Sequence, residues 1–150
     1  MLCLAAMQAK TLHHDGQQRT VALIFETGDR VMETLVTYAK RAGLEAGHFT
    51  AIGALRRATL GYFEWERRDY RRIEIDEQVE VLSLVGDIAL EGTEPRVHAH
   101  LVAGRADGST AGGHLIEGEV RPTLELVLVE PPAHLRRRFD PASRLALLQP

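Results

Sequence analysis

A series of β-type segments separated by turn signals fills the chain from about residue 48 onwards, and it limits the fold more than any other feature. The stretch RRIEIDEQVEVLSLVGDIAL (71–90) alternates apolar and polar residues in part, and PTLELVLVE (122–130) alternates until Pro131 and Pro132 end it. Such segments recur at a spacing of roughly 8 to 12 residues, which is typical of an antiparallel sheet rather than of βαβ units.

One segment ahead of this series has helical spacing. RTVALIFETGDR (19–30) begins with an apolar run typical of a buried strand and includes Asp29, which is suited to the N-cap of a helix. Apolar residues then recur at helical spacing from Val31 to Ala42, and Gly43 is suited to end the helix. We therefore predict an α+β fold, a mainly antiparallel β-sheet with one long flanking helix.

The length and the composition indicate a single globular domain. The chain has 150 residues, of which 45% are apolar and 26% charged, enough for one sizeable core. We predict that residues 1–18 are an N-terminal extension and residues 19–150 the domain proper. The formal net charge of −3 argues against a dedicated nucleic-acid-binding protein, although a local basic patch could override it.

The cysteine content and the hydropathy indicate in which cellular compartment the protein is expected. Cys3 is the single cysteine, so no intramolecular disulfide can form, and this fits a reducing compartment. The first ten residues lack the basic region of a signal peptide, and no apolar run is long enough to span a membrane. We expect a cytoplasmic protein that does not enter the membrane.

Three of the seven histidines lie close together in VHAHLVAGRADGSTAGGHL (97–115). His98 and His100 are two residues apart and therefore point to the same face of a strand. If the segments on either side of the turn signal at Asp107 form a hairpin centred there, His100 lies directly across from His114. The three imidazoles then converge on one point.

This register is not the only one that the sequence allows. A two-residue turn centred between Asp107 and Gly108 would shift the pairing and send His114 to the opposite face. A bulge at Gly112 and Gly113 would also change the register. These glycines are otherwise expected to allow a close backbone approach beside the site or at a subunit contact.

Three neutral imidazoles form a ligand set suited to a divalent metal, with zinc expected first and Ni²⁺, Cu²⁺ or Fe²⁺ as alternatives. A fourth coordination position would remain for water, a substrate or a ligand from another subunit, and metal-bound water can drive hydrolysis. Hydrolysis also needs a general base, and strand alternation places Glu117 and Glu119 on the face away from His114 unless a bulge intervenes. An enzyme is therefore the less favoured class; if the protein is one, we expect a zinc-type hydrolase.

The remaining histidines are isolated or lie in polar surroundings: His13, His14, His48 and His134. We do not expect them to bind metal.

Several segments resemble the PPC (plants and prokaryotes conserved) domain, also called PD1-like, in its stand-alone prokaryotic form. The segments are GALRRATLGYFE (53–64), EVLSLVGDIAL (80–90), HAH (98–100), DGSTAGGHLIEGEV (107–120) and TLELVL (123–128). The HxH motif alone is weak, but HxH followed after thirteen residues by the histidine of GGHL is specific. The resemblance runs from about residue 19 to residue 150.

The resemblance implies a mainly antiparallel sheet with a flanking helix, assembled as a homotrimer. It also implies that the motif histidines bind metal, and these correspond to His98, His100 and His114. The DNA association of the family rests largely on a separate AT-hook with the core Arg-Gly-Arg-Pro, and this sequence contains no such run. DNA as a partner is therefore weakly supported.

Paired arginines are the remaining candidates for binding. Two interpretations stay open: contacts to a nucleic-acid backbone, or a solvated surface balanced by neighbouring carboxylates. The pairs considered for nucleic-acid binding are Arg56, Arg57, Arg67, Arg68, Arg71 and Arg72.

Three functional hypotheses follow. The first is a metal-binding regulatory or DNA-associated module. The second is a metal-dependent enzyme or small-ligand binder that uses the open coordination position. The third is a structural metal site that only stabilises a trimer.

Overall fold

A computed structural model describes residues 7–150, so Cys3 lies outside the described residues. Within them, strands predominate and there is one helix, which confirms the predicted mainly antiparallel α+β architecture in a single domain. The elements are β1 (Gln8–His14), β2 (Arg19–Glu26), α1 (Val31–Ala42), β3 (Ala46–Glu64), β4 (Asp69–Ile75), β5 (Val79–Glu91), β6 (Glu94–Gly104), β7 (Thr110–Glu130), β8 (Arg136–Asp140) and β9 (Leu145–Gln149).

Four strands organise the sheet. β3 pairs with β5 and β7, and β6 pairs with the same two strands, so these four strands form a closed ring of pairings. β2 extends the sheet from β7, β1 from β2, and β4 pairs with the second half of β3. β8 and β9 form a C-terminal hairpin that joins β5 through a short parallel pairing, at Leu90 with Arg136 and Glu91 with Arg137.

The helix closes one side of the core, but the expectation of a long helix is wrong. α1 has 12 residues, which corresponds to about 18 Å. Its apolar stripe of Val31, Leu35 and Ala39 is buried against the sheet, where it contacts β6 and β7. The helix ends where predicted, because Gly43 adopts a left-handed conformation with φ 64° and its N–H bonds back to the last turn.

The N-terminus of α1 is capped differently from the sequence expectation. Arg30 occupies the N-cap position without a side-chain cap, and the Asp29 carboxylate accepts a hydrogen bond from the backbone of β2. The Glu117 carboxylate of β7 accepts instead from the backbone N–H groups of Met32 at 2.9 Å and Glu33 at 3.3 Å. A residue distant in sequence therefore supplies the cap and ties the helix to the sheet.

The β6–β7 hairpin has the register that centres on Asp107. His100 pairs with His114, and the pairing continues to Gly104 opposite Thr110. A five-residue connection, residues 105–109, carries the turn, in which Gly108 has a φ of 82°. The alternative two-residue turn does not form, and the histidines therefore meet on one face.

Within residues 7–150, no helix is long and apolar enough to cross a membrane.

Candidate metal centre

His98 and His100 from β6 and His114 from β7 converge on the outer face of the sheet. The Nε2 atoms of His98 and His100 are 3.2 Å apart, and one ring nitrogen from each of the three residues lies within 4.8 Å of the others. Two nitrogens that each bind a tetrahedral zinc at 2.0–2.1 Å are about 3.3 Å apart. The spacing of His98 and His100 therefore fits a shared zinc ion.

The surroundings of His114 hold its ring in place. Tyr70 stacks on the His114 imidazole with ring centroids 4.5 Å apart. Gly61 makes this possible, because a Cβ atom there would lie 2.7 Å from the Tyr70 ring. A Cβ at Gly113 would lie 2.8 Å from the Gly61 carbonyl oxygen, which confirms the expected close backbone approach beside the site.

Electrostatics keep two of the rings neutral. Burial, with the neighbouring imidazoles His98 and His100, lowers the pKa of His114 to about 4. Burial, followed by the nearby Arg137 guanidinium and His100, also lowers the pKa of His98, and Asp87 opposes this shift. Neutral imidazole is the form that binds a metal. The Nδ1 atom of His114 is buried and has no hydrogen-bond partner among the described residues, which also fits a metal-ligand environment.

An ion pair beside His98 was missed by the sequence reasoning. Asp87 on β5 pairs in register with His98, and its carboxylate accepts a hydrogen bond from Arg137 of the C-terminal hairpin. The midpoint argument used for His100 and His114 could have found Asp87, since the two-residue β5–β6 turn, Gly92 and Thr93, lies midway between Asp87 and His98. No comparable signal pointed to Arg137.

The two glutamates that follow His114 are engaged away from the histidines. A register shift between Leu115 and Glu117 shows that the bulge considered in the sequence is present. Glu117 nevertheless caps α1, and Glu119 bonds Arg56 and Arg57 at 3.2 and 2.8 Å. Within residues 7–150, the grouping that could hold a metal consists of the three histidines.

The candidate nucleic-acid residues do not form one free basic surface. Arg56 and Arg57 bind Glu119, and Arg67 and Arg71 both bind Glu64, so these ion pairs engage four of the six arginines. Arg67, Arg68, Arg71 and Arg72 share the β3–β4 hairpin, whereas Arg56 and Arg57 lie further back on β3. The balanced-surface interpretation therefore describes most of these side chains.

In the metal-free protein, we expect the free energy of unfolding to fall as the pH is lowered from about 6.5 to about 4. His114 protonates near its ordinary pKa of about 6.5 when unfolded but at about 4 when folded. The unfolded state therefore binds more protons between these values, and stability increases with pH in this window. Because solvent partly screens the half-buried ring, we expect a loss of about 1 to 2 kcal/mol, measured by urea unfolding.

Matched variants isolate this effect from other titrations. His114→Gln should show a flatter pH dependence of the free energy of unfolding between pH 6.5 and 4, whereas Thr110→Gln, which changes an exposed residue of the same strand, should keep the wild-type slope. An unchanged slope in His114→Gln would contradict the assignment.

The chain folds into a small β-rich domain in which three histidines meet on one face of the sheet. Residues 13–132 match the model of the Plants and Prokaryotes Conserved (PCC) domain, which spans most of the chain. The protein belongs to this family, also abbreviated PPC, as its segments suggested.

Solved structures share the whole fold. A plant- and prokaryote-conserved (PPC) protein from Pyrococcus horikoshii is 31% identical, with a TM-score of 0.83 over 92% of this chain and 98% of that one. A metal-containing protein from Archaeoglobus fulgidus is 27% identical, with a TM-score of 0.82 over 97% and 99%. A candidate DNA-binding protein from Ralstonia eutropha JMP134 is 26% identical, with a TM-score of 0.80 over 86% and 90%.

A curated relative is much longer than this chain. The bifunctional protein GlmU from Synechococcus sp. (strain JA-3-3Ab) is 33% identical over 131 residues, which cover 85% of this chain and 20% of that protein. The chain thus spans about a fifth of the curated relatives that it matches.

Proposed function

We propose that this protein is a homotrimeric metal-binding module in which His98, His100 and His114 hold a divalent metal, with zinc expected first. The convergence of three imidazole nitrogens within 4.8 Å carries the proposal. The metal-containing relative from Archaeoglobus fulgidus, which shares the fold over nearly its whole length, supports it. A zinc ion bound by three neutral imidazoles supplies a positively charged coordination position that a further ligand can occupy.

Several residues of the chain surround the open coordination position of the metal, and each has a different role. The three histidines bind the metal, and the Tyr70 ring, stacked on His114, limits its movement and shields it from water. Asp87 and Arg137 flank His98 as an ion pair. We do not propose hydrolysis, because Glu117 and Glu119 are engaged elsewhere and no carboxylate among the described residues joins the histidine group.

Metal content tests the proposal directly. Protein purified without a nickel column should contain about one metal ion per subunit by elemental analysis, or take it up after chelation and reconstitution with zinc. A chain that holds no metal even after reconstitution would refute the metal centre. Chelation that dissociates the trimer or lowers its melting temperature, with the open position binding nothing, would instead favour a purely structural metal.

An exposed apolar face supports self-association. Five side chains line a shallow groove on the sheet formed by β2, β7, β3 and β5, each between 38% and 61% exposed in the single chain: Ile24, Ile52, Leu82, Val85 and Val127. Contiguous apolar surface of this kind marks an interaction site. We assign a second copy of the chain as its occupant, in a ring of three, and the number three comes from the family resemblance.

The apolar groove, where a second subunit is proposed to bind, lies next to the metal centre. Val85 lies directly across from His100 in the β5–β6 pairing, so the two side chains share the outer face of the sheet. A neighbouring subunit seated on the groove would therefore lie beside the metal centre and restrict access to it.

DNA association is the second candidate function. The relative from Ralstonia eutropha JMP134 is named as a candidate DNA-binding protein, and the β3–β4 hairpin carries four arginines beside Trp65, which is 57% exposed. A trimer would repeat this hairpin three times, which would raise a weak affinity by avidity.

If the hairpin binds DNA, the affinity for duplex DNA should fall steeply as salt is raised, because arginine–phosphate contacts release counterions. The double variant Arg68→Gln, Arg72→Gln should then bind more weakly and with a shallower salt dependence, measured by fluorescence anisotropy. The control is Arg41→Gln, which removes the same charge per substituted residue but lies on the helix, outside the hairpin. Absence of binding at low salt would exclude this function.

A further inference from the structure

The C-terminal hairpin, formed by β8 and β9, provides one wall of a cavity beside the three histidines. The cavity has a volume of about 270 Å³, and His98 and His114 line it together with Leu145 and Leu147 of the hairpin. Both of these histidines are partly buried, whereas His100 is exposed. The hairpin thus borders the two less accessible imidazoles.

Little apolar packing holds this hairpin to the rest of the domain. Among residues 7–150, the buried apolar core includes no side chain from residues 136–149. Phe139, Leu147 and Leu148 of the hairpin are between 40% and 59% exposed, and the backbone pairing with β5 covers only two residue pairs. Segments with few buried apolar contacts open at a lower free-energy cost than the core. The hairpin is therefore suited to open while the rest of the domain stays folded.

Arg137 anchors the hairpin to the sheet. Its side chain is 7% exposed, and its Nη2 donates a hydrogen bond to the Asp87 carboxylate of β5. Among the described residues, this is the one ion pair that links the hairpin to the rest of the domain. The Arg137 Nε–H is buried and has no acceptor within residues 7–150. Because opening would return both charged groups and this N–H to water, the ion pair favours the docked hairpin only modestly.

The chain just before the hairpin is held independently of Arg137. The Leu135 N–H donates to the Glu45 carbonyl at 3.1 Å, and the Leu90 N–H donates to the Leu135 carbonyl at 2.8 Å. These bonds precede residue 136, so they can remain while the hairpin moves. Leu135 is therefore suited to act as the hinge.

We infer that the C-terminal hairpin is a hinged flap, which opens about Leu135 when the Arg137–Asp87 ion pair breaks and thereby exposes His98 and His114 to molecules in solution. As a means of regulating access to a metal centre, the flap rests on the proposed function. The motion itself depends only on contacts within the chain, so it is tested without a metal.

Hydrogen exchange of the full wild-type chain in zinc-free buffer tests the motion. A two-stranded hairpin is at best marginally stable alone, so undocking should release its amides. We expect the hydrogen-bonded amides of β8 and β9 to exchange at least about 100-fold faster than those at the centres of β3, β5 and β7. Equal protection in the hairpin and in these central strands would overturn the flap.

Asp87→Asn tests the anchor, because it leaves the Arg137 charge without its partner. Modification of the imidazoles by diethyl pyrocarbonate, mapped by mass spectrometry, reports access to the histidines. Both the exchange of the hairpin amides and the modification of His114 relative to His100 should rise about tenfold or more. The control is Glu91→Gln, which removes a carboxylate of the same strand that pairs with Arg96 instead, and it should leave both rates unchanged.

Each outcome bears on one part of the inference. Hairpin exchange that is no faster in Asp87→Asn than in Glu91→Gln would overturn the anchor and with it the flap. Faster exchange with unchanged modification of His114 would overturn the control of access. The wild-type exchange needs no variant, so it remains a test if Asp87→Asn does not fold. Since none of these readouts requires zinc, elemental analysis decides the metal centre separately.

Discussion

Replacing His98 with alanine is expected to lower the affinity for zinc by more than about 100-fold while the fold is kept. Loss of a residue that merely orients a metal ligand costs about 10- to 100-fold in affinity, and removing a ligand should cost more. His98 lies on the outer face of β6 and is only partly buried, so its truncation leaves the apolar core untouched. Competition with a chromophoric chelator measures the affinity, and circular dichroism checks the fold.

The matched control for this variant is His48→Ala, which removes an exposed histidine from β3. It should retain the wild-type zinc content and affinity. Equal zinc affinity in His98→Ala and wild type would mean that the converging histidines are not the metal site. Loss of zinc from both variants would point instead to a general effect on stability.

Ile52→Asp is expected to convert the proposed trimer into a monomer. Ile52 is 61% exposed in the single chain and lies in the apolar groove with Val85 and Val127. If a second copy covers this groove, an aspartate there would be buried without a partner, which costs several kcal/mol per subunit contact. Light scattering should then report about a third of the wild-type mass.

Tyr62→Asp provides the control for this variant, because Tyr62 is 59% exposed but belongs to the β3–β4 hairpin, outside the groove. It should remain trimeric. A wild-type protein that is monomeric at micromolar concentration, or an Ile52→Asp variant that stays trimeric, would contradict the assigned interface. All three histidines come from one chain, so the Ile52→Asp monomer should still bind zinc.

The sequence predicted the observed histidine pairing as one of the registers that it allows, because the determinants are local. His100 and His114 belong to two strands joined by a five-residue turn, and the turn sets their register without help from the rest of the chain. The same reasoning, centred between Gly92 and Thr93 in the two-residue β5–β6 turn, would have placed Asp87 opposite His98. The end of the helix at Gly43 was predictable for the same reason, since a left-handed glycine acts within one turn.

Contacts between segments distant in sequence were beyond this reasoning. Asp29 looked like the N-cap, yet Glu117 caps the helix from β7, and the predicted long helix is an ordinary one of 12 residues. No sequence pattern links Tyr70 to His114, and it is the pairing of β4 with β3 that lays the Tyr70 ring over this histidine. Each of these contacts depends on how strands pair across the sheet.

The sequence alone determined the strand-rich architecture and the three histidines, because alternation and turn residues act over a few neighbouring positions. Only the tertiary structure decided what surrounds them. The C-terminal hairpin attaches to β5 through two residue pairs and buries Arg137 beside Asp87, 50 residues earlier in the chain. No local pattern encodes that contact, since the closing of the sheet brings the two side chains together.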